Sequence, residues 1–165
     1  MNYSVVLEHL PSSLEEMKKL DEAKLLKPEH TAALTVAALL AYPENRQTAF
    51  EMLDELRGPR PLSVMEKQFI NDRFMDGKGY IPRSYLEGTS PENNYTPSRP
   101  YTITMCDSHV KPAEEGYMVL DLKSSGADSP RTVTLRNKPS SGQWFLWDMT
   151  LLAGIREPAE NNPWA

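Results

Sequence analysis

Up to Gly77 the apolar residues of this chain recur every three or four positions; from Tyr101 onward they recur every second position. Helices repeat at 3.6 residues and strands at two, so this change of period divides the chain into a helical part and a strand part. Helices first and sheet second is the order of an α+β fold, with one layer packed on the other.

The helical part spans about residues 12–77. "SSLEEMKKL" opens with Ser12 or Ser13 as N-cap and a glutamate three positions on, the pattern of a capping box. Pro28 suits the first turn of a second helix, where a missing N–H costs nothing, and Glu29 favours the positive end of the helix. From Ala32 to Ala41 this helix is apolar nearly all round, which places it at the centre of the fold. Pro43 ends it. Ala49, Phe50, Leu53 and Leu56 form the stripe of a third helix, stopped by Gly58 and Pro59. Ser63 and Glu66 form a second capping box, and Met65, Phe69, Ile70 and Phe74 form the stripe of a fourth helix that Gly77 ends.

Residues 78–100 are rich in Gly, Pro, Asn and Ser, with tyrosines spaced through them. Tyr80, Ile81, Tyr85 and Leu86 give this stretch the means to be an ordered connector tied to the body. The sheet part, about 101–150, holds "YTITMC", "YMVLDLK", "RTVTLR" and "QWFLWDM". Their links are short and polar, so an antiparallel meander is the economical topology. The first three show one apolar face each, and "QWFLWDM" is apolar on both. "YSVVLEHL" near the start is an extra strand or a docking arm, and residues 151–165 are a tail whose Trp164 is placed to dock on the body. The expectation is one α+β domain over 1–165: three to four helices packed on a meander of four to five strands, by analogy a cone-like cystatin or nuclear-transport-factor arrangement.

The formal charge of −5 is evenly spread: residues 1–90 carry 11 basic and 14 acidic side chains, residues 91–165 carry 7 and 9. No basic tail, stripe or cluster stands out, which argues against nucleic acid and against anionic membranes as partners. The single cysteine, Cys106, fits a reducing compartment. The opening residues lack a basic and apolar signal-peptide pattern, and the run Ala32–Tyr42 is too short to span a bilayer. A cytoplasmic location is expected.

Motifs for phosphate loops, nucleophile elbows, zincins, paired C-x-x-C ligands and EF-hands are absent, so no catalytic residue, metal ligand or cofactor is assigned. Cys106 and His109 have the spacing of half a metal site, with His9 and His30 far off in sequence; they read as a strand-end thiol and a loop imidazole. The candidate binding residues are Arg83, Tyr85, Tyr95 and Arg99 of the connector, Arg131 and Arg136 of the third strand, and Trp144 and Trp147 of the fourth. Guanidinium groups beside phenols are suited to a carboxylate or phosphate. The structural alternative is that they pin the connector to the sheet. For Trp144 and Trp147 it is a strand covered on both faces, with both rings largely buried on opposite sides.

The phrases "GPRPLSVMEKQFI", "IPRSYLEGTSPENNYTPSRPYTI", "GADSPRTVTLR" and "QWFLWDMTLLAGIREP" resemble a family of uncharacterised bacterial proteins, a domain of unknown function, over Leu10 to Trp164. The resemblance implies a bacterial origin and carries no activity or residue role. The expected function is a non-enzymatic module that binds a protein or small-molecule partner. The alternative is a small-ligand carrier or small enzyme with a pocket between helices and sheet. A homo-oligomer joined through "YTITMC" as an exposed edge strand is a further option.

Overall fold

Five antiparallel strands stand side by side in chain order in a computed structural model that describes residues 1–112 and 114–164. They are β1 (Asn2–Leu7), β2 (Tyr101–Asp107), β3 (Tyr117–Leu122), β4 (Arg131–Lys138) and β5 (Gln143–Met149). Four α-helices lie between β1 and β2 in sequence: α1 (Leu14–Lys18), α2 (Pro28–Ala41), α3 (Arg46–Arg57) and α4 (Val64–Phe74). The fold is α+β, as the change of period requires.

The helix starts follow from side chains. Ser13 accepts from the Glu16 N–H at the start of α1, Asn45 from the Thr48 N–H at α3, and Ser63 with Glu66 closes a complete capping box at α4. Pro28 occupies the first turn of α2. Every residue from Thr31 to Leu39 is buried, so α2 is the central helix. It packs on the sheet face formed by Val5, Leu7, Ile103, Met105, Leu120, Leu122, Val133, Leu135 and Leu146.

"YSVVL" is β1, and it pairs with β2 throughout, with Val5 opposite Ile103. "YTITMC" therefore lies inside the sheet, between β1 and β3. The edge expected there belongs to β1, because a segment a hundred residues upstream covers it. The other edge, β5, is closed. Trp144 donates its backbone N–H to the Leu25 carbonyl at 2.7 Å, and the Thr31 hydroxyl donates to the Trp144 carbonyl at 2.6 Å. Capping an edge in this way blocks strand addition.

Two further expectations are corrected. On α4 only Ile70 and Phe74 are buried, while Met65 is 83% and Phe69 50% exposed. The two pairs form neighbouring columns on the helix, and only the Ile70–Phe74 column meets the body, with Phe74 stacked on Tyr42 at 4.1 Å. Trp164 is 92% exposed and does not dock. Trp144 and Trp147 are each partly buried, neither exposed nor fully enclosed.

Candidate functional site

β5 carries a bulge. Leu146 faces Leu135, but Asp148 faces Thr134, so Trp147 is an extra residue on this strand. Trp144 and Leu146 stay on the α2 side, where Trp144 packs against the core. Trp147, next after Leu146 in the alternation, points to the far face. There its ring meets the edge of Tyr117 at 5.3 Å and the guanidinium of Arg136 at 4.9 Å. The two tryptophans do take opposite faces, but neither is enclosed.

The α3–α4 loop wraps over this edge. Gly58 has φ +59, and a Cβ built on it would lie 2.5 Å from the Phe145 ring, so only glycine brings the loop this close. The Arg60 guanidinium lies 3.8 Å from the Trp147 ring centroid and also donates to the Trp147 carbonyl. Between this loop and the β4–β5 hairpin lies a cleft of about 400 Å³, lined by Arg57, Pro59, Arg60, Arg136, Asn137, Lys138, Pro139, Phe145, Leu146 and Trp147.

The cleft has four cations and no carboxylate in its lining. Among the described residues no carboxylate lies within ion-pair distance of Arg60, Arg136 or Lys138. Stacking a guanidinium on an aromatic face leaves its in-plane N–H groups free to donate. Arg57 is different. It is 5% exposed, donates to the Arg60 carbonyl at 2.9 Å, and sets Nη2 2.8 Å from Glu66 Oε2. That contact is charge against charge, since no acceptor is aligned with the Nη2 hydrogens. Burial pulls the Arg57 pKa down, while the Glu66 charge opposes the shift. Burial pushes the Glu66 carboxyl up, but donors from Ser63 and the Arg57 charge outweigh it and hold Glu66 below its ordinary value.

The remaining candidates serve the frame. Arg83 donates to the carbonyls of Asn94 and Tyr95, two residues held at left-handed φ. Tyr95 and Tyr85 are buried and give their hydroxyls to the carbonyls of Arg156 and Leu151. Arg131 donates to the carbonyls of Ala153, Gly154 and Ser129, which ties the start of β4 to the tail. Arg99 is exposed and lies over Tyr101 at 5.2 Å. Trp144 lies on the α2 side. Of the eight, the structure brings Arg136 and Trp147 together in the cleft, and it adds Arg57, Arg60, Lys138 and Phe145. Their signal was two short cationic phrases, "RGPR" and "RNK", far apart in the chain.

A shallower concavity of about 490 Å³ on the far face of β2 and β3 is larger, but it mixes Lys123 with Asp121 and Asp128 beside Cys106. Among the described residues no group of three or more His, Cys, Asp or Glu side chains is placed to hold a metal ion, and no helix is long and apolar enough to cross a membrane.

The family model for a domain of unknown function, DUF6935, matches residues 9–159. The chain belongs to this family. No curated protein and no solved structure matches it. The DUF6935 match spans both walls of the cleft, α3–α4 and β4–β5, along with the connector and the central helix.

Proposed function

We propose that this chain is a non-enzymatic binding module, acting in a bacterial cytoplasm, whose recognition site is the cationic cleft between the α3–α4 loop and the β4–β5 hairpin. The ligand group is an anion, a carboxylate or a phosphate. One observation carries the reading: in a chain of net charge −5, Arg60, Arg136 and Lys138 converge on one concavity without a carboxylate partner. The Arg136 guanidinium makes no hydrogen bond to any described residue, so its whole donor fork is available, and stacking on Tyr117 and Trp147 holds it in place. The lone thiol of Cys106 supports a reducing compartment.

Thermal unfolding with inorganic pyrophosphate at constant ionic strength tests this. A ligand that binds only the folded state raises the melting temperature as its concentration passes Kd. The expected result is a saturable rise in the parent chain and none in the Arg60→Gln, Arg136→Gln double variant. An equal rise in both, or none in either, would count against the cleft.

A further inference from the structure

The cationic cleft shares Arg57 and Leu146 with a second concavity of about 210 Å³ on the other side of the α3–α4 loop. That groove is apolar, floored by Leu53, Ile70 and Met149 and flanked by Met65 and Phe69 of α4. Met65 and Phe69 are 83% and 50% exposed, so the outer column of α4 presents an apolar shelf along the groove. Single exposed apolar residues are ordinary; two in one column of a helix, both lining an apolar groove, mark an interaction surface. Two carboxylates line the groove. Glu66 is set against Arg57, and Asp148 lies at the β5 side, bonded to its own neighbour's N–H. Cations bracket the surface, with the cleft at one side and Arg73, 4.9 Å from the Phe69 ring, at the other.

We propose that the occupant of this continuous surface is an acidic peptide segment of a partner protein with a bulky apolar anchor. This rests on the cleft reading above and names the partner for it. Charge complementarity selects the acidic part, because Arg60, Arg136 and Lys138 stand without carboxylates. The adjoining groove takes the anchor, as apolar pockets at interfaces take a buried aromatic or aliphatic side chain. Electrostatics then steer the encounter and the anchor sets the dissociation rate. A small free anion would fill the cleft and leave the shelf bare.

Selection from a random peptide library displayed on phage, against the intact chain, tests the proposal. Enriched peptides are expected to combine several Asp or Glu residues with a nearby Leu, Phe or Trp. A synthetic copy of the leading sequence should bind about tenfold more weakly to Met65→Glu, Phe69→Glu and to Arg60→Gln, Arg136→Gln. The exposed positions of Met65 and Phe69 keep the first variant folded, and its melting curve with pyrophosphate should match the parent. Enrichment of peptides without acids, no enrichment at all, or equal affinity for the Met65 and Phe69 variant would overturn the inference. If pyrophosphate still stabilises the chain in those cases, the cleft stands and the peptide falls; if pyrophosphate also fails, both fall.

Discussion

The Arg60 guanidinium lies 3.8 Å above the Trp147 ring and donates to the carbonyl of the same residue. One side chain thus joins the α3–α4 loop to the bulged edge of the sheet. Replacing Arg60 with alanine removes the stacking and leaves that carbonyl to water. The expected cost is about 0.5–1 kcal/mol, the value of an exposed cation–π contact. Trp147 fluorescence should move toward that of a solvated indole. Lysine should not restore the spectrum, because a point charge cannot stack as a plane. Equilibrium urea unfolding followed by fluorescence measures both effects.

Gly58→Ala meets two obstacles at once, a positive φ and the Phe145 ring. Its expected cost is about 2–4 kcal/mol, strain and overpacking together. The cleft should suffer with it, since the loop must lift off Phe145. Calorimetry gives the first effect and pyrophosphate titration the second.

Thr31 is fully buried and its hydroxyl serves the Trp144 carbonyl at the β5 edge. Thr31→Val keeps the volume and deletes the donor. The expected loss is about 1–2 kcal/mol, from an edge carbonyl left unpaired beside the core. A drop in melting temperature checks it. Thr31→Ser, which keeps the hydroxyl, should cost less than valine if the hydrogen bond is what matters.

Tyr85 and Tyr95 define an alkaline limit. Burial raises both phenols, and pushes Tyr95 to about 12 from an ordinary value of 10.0. Unfolded tyrosine ionises near 10, so the stability held by the neutral phenols is complete below that pH and is lost as pH rises toward the folded value. Stability should therefore be flat across neutral pH on their account and fall above about pH 10. Tyr95→Phe should flatten this alkaline limb and cost about 1 kcal/mol at neutral pH, because the Arg156 carbonyl loses its donor. Phenolate absorbance against pH, read beside far-ultraviolet circular dichroism, follows ionisation and unfolding together.

Local chemistry made much of the frame legible. Pro28, the Ser13 and Ser63 caps and Gly58 marked helix ends, and the all-round apolar run of α2 marked the centre. Alternation in β2, β3 and β4 identified their core faces. Non-local facts were not legible. Nothing in "YTITMC" says that "YSVVL" will cover its edge from a hundred residues away. On α4 two apolar columns lie side by side, and periodicity does not say which one meets the body. The cleft was hidden for the same reason. Charges evenly spread along the chain became a cluster because the fold brings Arg60 of the α3–α4 loop and Arg136 of β4 onto Trp147, on the face of β5 opposite Leu146. The aromatic run of β5 was visible from the start; its register was not.

The most direct test of the cationic cleft is amide-correlation NMR during titration with inorganic pyrophosphate. The chain has three tryptophans, and their indole N–H signals report three different surroundings. The Trp147 indole and the backbone amides of Arg57, Gly58, Arg60, residues 136–138 and residues 140–147 should shift together with one saturation curve, while the indoles of Trp144 on the α2 side and of exposed Trp164 stay in place. Shifts centred on the Arg83–Tyr95 connector, or a Trp147 signal that does not move, would contradict the account.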